Sequence, residues 1–334
     1  MRADTIERSK AQTKSRRQGP AFLLLTWLAL VGVLVTACAG SVAAPSPEPV
    51  DEAVAVYAPA TPSSIPVIVA AQQMPEVDLT IFTDHSQAQA LFLRGDVDLL
   101  VTGLAVGVAF FEDGVPVTLL NSYVSGLTYL VTRGRAVGRF DELATPEVYL
   151  PFEGSPIDEV TRFFVESEGL TWGEDVVPVY SPFPASVELL RQGRASAVAL
   201  PEPFVSLVEG EEEIFVSLSY EERWETLTGS GDGYPQVGTF ARQDWAKEHP
   251  EVIAAFNRRI EEAVEGIREE PADAVEVAAE ELAFPAPVLR SALERTSFAP
   301  RYGAELEGDV RDYYRAIGAP LEEDYATFFY GDQE

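Results

Sequence analysis

The apolar positions of this chain follow one plan twice. In Gln87–Gly103, Ala88, Leu91 and Phe92 fall at helical spacing, Gly95 stands where a left-handed C-cap belongs, and Val97–Val101 is an apolar run broken only by Asp98. This predicts a helix, a stop and a buried strand. Ser186–Pro203 repeats the plan: Leu91, Phe92, Gly95, Leu99 and Leu100 align with Leu189, Leu190, Gly193, Ala197 and Val198. Two such units predict two lobes of shared design, with their strand ends, Thr102-Gly103 and Pro201-Glu202-Pro203, facing a common cleft.

The pattern around these units is a regular strand–helix alternation. Strands are expected at 53–58, 77–82, 97–101 and 115–120, the last ending at Asn121-Ser122-Tyr123. Helices are expected at 65–71, after Asp84 or Ser86 as cap, and at 106–111. A second series begins near Leu127, with strands at 127–132, 147–150, 176–180 and 195–200. Between them Ser155-Pro156-Ile157-Asp158 reads as an N-cap, a first-turn proline and a capping-box acid. Strands separated by helices at this spacing predict parallel sheets. From Gly229 the texture changes. Gly229, Gly231 and Gly233 before Tyr234-Pro235 read as a return crossing, and an all-helical tail is expected beyond it. In that tail Val252, Phe256, Ile260, Ala263 and Ile267 share one face.

The first 37 residues carry a different signal. Six basic residues precede the apolar run Ala21–Val35, which ends in Val35-Thr36-Ala37-Cys38. This reads as an export signal closed by a bacterial lipobox, with Cys38 cleaved before and lipidated; the alternative is an uncleaved anchor helix. Both readings place the rest of the chain outside the cytoplasmic membrane, in the periplasm or at the cell surface. Residues 38–52, with Pro45, Pro47 and Pro49, read as an extended tether.

Charge narrows the partners. The chain has 24 Lys and Arg against 54 Asp and Glu; the leader holds six of the former and two of the latter, leaving 18 against 52, a formal −34. Lys247 is the only lysine after the leader. Such a balance argues against nucleic acid and against a basic membrane-binding patch. With Cys38 the only cysteine, no internal disulfide and no thiolate metal cluster is expected, and no metal or cofactor is implied.

The ordered features together resemble the solute-binding proteins of ABC importers, in particular the nitrate/sulfonate/taurine and thiamine-precursor group. The residues that carry the resemblance are Ala90-Leu91 through Asp98 before a strand ending in Gly103, Gly114-Val115-Pro116-Val117, Phe163-Phe164 to Glu168-Gly169-Leu170, Gly193–Ala199 and Pro201-Glu202-Pro203. Tyr234-Pro235, Trp245–Glu251 and Pro271–Ala274 complete the set. The resemblance implies an α/β, two-lobed periplasmic-binding-protein type II fold. Residues 53–125 plus 236–334 would form lobe one, with the C-terminal helices packed on it, and residues 126–235 lobe two. It also implies a non-enzymatic, monomeric, lipid-anchored receptor that hands a small molecule to a permease. One departure stands out: the family's glycine-bearing loop after the first strand is here Pro59-Ala60-Thr61-Pro62-Ser63-Ser64.

Ligands of open α/β sheets sit beyond the carboxyl ends of strands. That rule nominates Thr61, Ser63, Ser64, His85, Ser86, Thr102, Gly103, Ser122 and Tyr123 on one wall, and Gly154, Ser155, Tyr180 and Glu202 on the other. Ser86 and Ser155 could serve only as helix caps, and Tyr123 and Tyr180 only as packing. No arginine stands among the nominees, which favours a neutral or cationic heterocycle resembling a thiamine precursor over nitrate. A sulfonate held by helix ends is the other reading. An enzyme on the same fold, with Glu153 and Glu202 as a carboxylate pair, or a sensory lipoprotein are the alternative functions.

Overall fold

The computed structural model describes residues 53–331, so Cys38, the leader and the tether lie outside the described residues. The first stretch alternates as the apolar pattern requires: β1 (Val54–Pro59), α1 (Ile65–Ala71), β2 (Val77–Phe82), α2 (His85–Arg94), β3 (Leu99–Gly103), α3 (Leu104–Glu112) and β4 (Val117–Gly126). The second contains β5 (Thr128–Arg133), β6 (Glu147–Leu150), α4 (Pro156–Ser167), β7 (Val177–Tyr180), α5 (Phe183–Arg191), β8 (Ala197–Pro201), α6 (Phe204–Val208), β9 (Ile214–Ser219) and α7 (Tyr220–Thr228). The chain then adds β10 (Val237–Arg242), α8 (Gln243–Glu248), α9 (Pro250–Glu269), α10 (Pro271–Leu282), α11 (Ala286–Glu294), β11 (Ser297–Arg301) and α12 (Gly303–Ala316).

The repeat is real at the level of backbone hydrogen bonds. Gly95 lies at φ 84° and Gly193 at φ 67°, both left-handed. Behind Gly95, Asp96 N–H donates to Leu91 O and Gly95 N–H to Phe92 O; behind Gly193, Arg194 N–H donates to Leu189 O and Gly193 N–H to Leu190 O. Both are Schellman stops, so each glycine satisfies the last carbonyls of its helix and turns the chain into a strand. An arginine from a neighbouring strand end lies against each stop, Arg242 beside Gly95 and Arg133 beside Gly193.

The two sheets have corresponding orders. One is β11-β4-β10-β3-β1-β2 and the other β9-β5-β8-β6-β7. Position by position, β1, β2, β3 and β4 correspond to β6, β7, β8 and β9. The remaining places are filled by exchange: β5, which follows β4, belongs to the second sheet, and β10, which follows β9 and α7, belongs to the first. These exchanged strands run antiparallel to both neighbours. The expectation of parallel sheets is therefore corrected to mixed sheets: a strand arriving from the other lobe has no helical crossover to restore its direction.

Two further expectations change. β4 does not stop at Leu120. It continues to Gly126, buried over all ten residues, because β10 and β11 flank it on both sides. The tail is not all-helical either, since β11 pairs antiparallel with β4. The tail helices do pack on the first lobe. Ile253, Phe256, Ile260, Ala263, Val264 and Ile267 of α9 join Ile65, Val67 and Ile68 of α1 in one core. Each fully buried side chain of that size contributes about 1.5–3 kcal/mol. On the other face of the first sheet α3 lies so close that a Cβ on Gly107 would sit 2.0 Å from Phe240.

Both lobes share a second core. It passes from α4 through α7 to α12 along Phe163, Trp224, Tyr234 and Tyr313, with the last two rings stacked at 5.7 Å. At the crossings Glu221 of α7 accepts hydrogen bonds from Ser297 Oγ at 2.6 Å and Ser125 Oγ at 3.5 Å. A side chain at Gly126 would collide with that carboxylate, at 2.2 Å. Burial raises the Glu221 pKa.

Candidate functional site

The strand-end residues fall into three groups. In the loop from β1 to α1, the Thr61 and Ser63 hydroxyls share a hydrogen bond of 2.6 Å, and Ser64 Oγ donates to Pro59 O at 2.5 Å. Thr102 is buried near the end of β3, with Gly103 after it. His85 and Ser86 occupy the exposed first turn of α2. Asp84, not Ser86, caps that helix, accepting from Gln87 N–H at 3.0 Å. The His85 ring packs edge-on against Phe82 at 5.1 Å. The desolvation this causes lowers the His85 pKa, although Asp84 pulls it the other way and the residue as a whole stays exposed.

The second group gathers on α4. Ser155 caps the helix by accepting from Asp158 N–H at 3.1 Å. Asp158 in turn accepts from Gly154 N–H at 2.9 Å and from Tyr180 OH at 3.1 Å. Gly154, at φ 73°, makes the turn that brings its N–H to Asp158. Desolvation raises the pKa of Asp158, against these hydrogen bonds, and raises that of Tyr180 to about 12.

The third group is internal. Ser122 and Tyr123 lie within β4 instead of beyond its end. Ser122 Oγ donates to Val237 O at 2.9 Å, and Tyr123 is fully buried, its hydroxyl without a hydrogen-bond partner among the described residues. Glu202 is fully buried at the end of β8. One of its oxygens accepts from Ser206 N–H at 3.1 Å, and the other lies 3.8 Å from Arg295, which follows α11. Burial raises the Glu202 pKa, with Ser206 and Arg295 opposing.

The lobes touch at two of these places. A Cβ on Gly103 would meet Pro156 Cγ at 2.9 Å, so the end of β3 rests on the start of α4. Across the cleft Arg295 also pairs with Glu209, Tyr129 OH donates to Arg295 O at 2.9 Å, and Phe204 meets Phe284 edge-on at 6.3 Å. The first N–H of α3 is already used, donating from Leu104 to Gln236 O at 3.0 Å. Among the described residues no hydrogen bond joins the Thr61–Ser64 loop to the Gly154–Ser155 turn.

Open space lies between α3, the start of α4 and the C-terminal segment. A cavity of about 520 Å³ is walled by Ala105, Val108 and Glu112 of α3, by Gly154 and Glu159 of the second lobe, and by Tyr314, Leu321 and Tyr325 of the C-terminal segment. Tyr325 OH donates to Glu112 at 2.8 Å, and Tyr313 OH to Glu159 at 3.3 Å. Burial raises the Glu159 pKa to about 7, with Asp158 and Glu112 pushing the same way and the Tyr313 hydrogen bond opposing. The Tyr314 hydroxyl is buried without a hydrogen-bond partner among the described residues. Of the nominated residues only Gly154 borders this cavity. Glu159 stands one helical turn beyond Ser155, a signal available in the sequence. Glu112 and Tyr314 had none, because they reach the cavity only through the fold-back of the C-terminal segment. Among the described residues no cluster of His, Cys, Asp and Glu could hold a metal ion, and no helix is long and apolar enough to cross a membrane.

No family model and no curated protein matches the sequence. Solved structures do. The periplasmic aliphatic sulphonate binding protein of Escherichia coli aligns at 18% identity and TM-score 0.67, over 84% of this chain and 92% of that one. An ABC transporter protein from Parabacteroides distasonis aligns at 17% identity and TM-score 0.69, over 85% and 100%. The periplasmic nitrate-binding protein of Synechocystis PCC 6803 aligns at 14% identity and TM-score 0.65, over 82% and 84%. The chain thus has the two-lobed α/β fold of periplasmic binding proteins, with its C-terminal helices on the first lobe.

Proposed function

We propose that the protein is the substrate-binding component of an ABC importer. It captures a small organic molecule between its lobes, a heterocycle resembling a thiamine precursor or a sulfonate- or nitrate-type anion, and delivers it to a membrane permease. The moving bodies are residues 53–125 with 236–334, and residues 126–235. The nominated strand-end residues are the proposed contacts, and lipidated Cys38 is the proposed anchor of a monomeric receptor outside the cytoplasmic membrane. The observation that carries this reading is the strand exchange. Two sheets of corresponding order are joined by two crossings, so the lobes can hinge while their strand ends keep facing one another. Structural neighbours that bind solutes for import support it. Thermal melting and small-angle scattering of the purified protein across a metabolite panel test it. A ligand that raises the melting temperature and compacts the protein is expected; stabilisation without compaction, or no stabilisation by any compound, would overturn it.

A further inference from the structure

One of the places where the lobes meet is built from a pair of short helices, α6 of the second lobe and α11 of the first. The residues that bracket the helices make the contact. Phe204 opens α6 and Phe284 precedes α11, and their rings meet edge-on at 6.3 Å. Glu209 follows α6 and Arg295 follows α11, and the two form an ion pair. The Arg295 guanidinium also lies 3.8 Å from Oε1 of Glu202. Glu202 is fully buried; Ser206 N–H serves its other oxygen at 3.1 Å, and Oε1 has no hydrogen-bond partner among the described residues. The second lobe holds the Arg295 backbone as well, because its carbonyl accepts from Tyr129 OH at 2.9 Å.

We infer that Arg295 is a latch between the lobes, with the buried carboxylate of Glu202 as its catch. The contact lies beside the hinge. Glu202 N–H donates to Leu127 O, at the passage from β4 to β5, and Ser297, two residues after Arg295, pairs with Gly126. At 3.8 Å the guanidinium stands just beyond hydrogen-bond reach of Oε1, so a small approach completes the pair and a small separation loses it. When the lobes part, α11 carries the guanidinium away from Glu202. A carboxylate set this deeply is strongly disfavoured without its counter-charge, so the latch favours the arrangement with the lobes in contact. Glu209 is more open to solvent and adds little. A latched protein leaves less of the work of closure to its ligand, because affinity is reduced by the fraction of chains that are not in the binding arrangement. The use of the latch rests on the solute-binding reading; its existence and its test need no ligand.

A latch differs from a packing contact in its response to charge. Arg295→Met leaves Glu202 without its counter-charge whenever the lobes touch, so the lobes part. Adding Glu202→Gln removes the charge that needed neutralising, and the lobes return to contact although the guanidinium is still missing. A contact held by packing alone would be worsened or left unchanged by the second substitution.

Distance measurement between two spin labels in the ligand-free protein tests the inference. Gln72→Cys, between α1 and β2, and Glu174→Cys, between α4 and β7, place one label on an exposed position of each lobe, near the far edges of the two sheets, where a small rotation at the hinge is amplified. Cys38→Ser removes the only natural cysteine. Arg295→Met should raise the ratio of long to short distances by about tenfold or more, because it leaves a buried charge uncompensated. Glu202→Gln with Arg295→Met should bring the ratio back towards the unsubstituted value, and Glu209→Gln alone should change it by less than about fivefold. Melting curves check the fold; should Arg295→Met not fold, Arg295→Lys, which cannot span both carboxylates, is read in its place and should shift the ratio in the same direction. An unchanged ratio in a folded Arg295 variant overturns the latch, and a double variant as open as Arg295→Met overturns Glu202 as its catch. The expected ratios in a protein that no metabolite compacts overturn the receptor reading and leave the latch standing. Compaction by a ligand with ratios indifferent to Arg295 does the reverse.

Discussion

Glu159→Gln gives the sharpest test of the electrostatics of the interlobe cavity. Burial raises the pKa of this carboxyl from 4.5 to about 7 in the folded protein. A group whose folded pKa is raised contributes stability that is complete below its unfolded pKa and is lost as pH rises through the folded one. For Glu159 the loss therefore begins near pH 4.5 and is complete above pH 7. A tenfold change in a protonation equilibrium corresponds to about 1.4 kcal/mol, so the full loss is about 3 kcal/mol, of which about 2–3 kcal/mol falls between pH 5 and pH 8. Glutamine has no charge to desolvate and can still accept the hydrogen bond from Tyr313. The variant should be stabilised relative to wild type at pH 8 and nearly unchanged at pH 5. Urea unfolding of both proteins at the two pH values measures this, with equal m-values as the control. A stability difference that is the same at pH 5 and pH 8 would refute the reasoning.

Other substitutions probe the packing that sets the cavity. Gly107→Ala should destabilise by about 1–3 kcal/mol in urea unfolding, because the new methyl enters the Phe240 ring and neither α3 nor β10 has room to retreat. Gly103→Leu should separate the end of β3 from Pro156, read as a larger radius of gyration in scattering than wild type. Asp84→Ala should cost about 1 kcal/mol through loss of the α2 cap, whereas Ser86→Ala should change stability by less than about 0.5 kcal/mol.

The sequence pattern is most informative where structure is local. The two Schellman stops at Gly95 and Gly193, the Ser155 cap and the α9 stripe depend on residues a few positions apart, and periodicity reveals them. The strand exchange depends on long-range pairing, so the alternation suggests parallel sheets and leaves β10 and β11 unread. β9 and α7 are also unread; their short apolar alternation at Ile214–Ser219 lies among acidic residues. The same reason displaces Ser122 and Tyr123. Nothing near them in sequence announces that β10 and β11 flank β4 and extend it to Gly126. The strand-end rule locates the walls of the cleft but assumes free polar groups. Thr61, Ser63, Ser64, Ser155 and Tyr180 spend theirs on neighbours. The raised carboxyl of Glu159 lies where the C-terminal segment returns to the second lobe, a placement only tertiary structure defines.

The central claim, that the interlobe space is built to hold a small molecule, is tested most directly by native mass spectrometry of the protein purified without unfolding and then exposed to a metabolite extract. The account predicts a discrete added mass of one small molecule per chain, released on acid unfolding. A spectrum showing only the bare chain after exposure to the extract would contradict it.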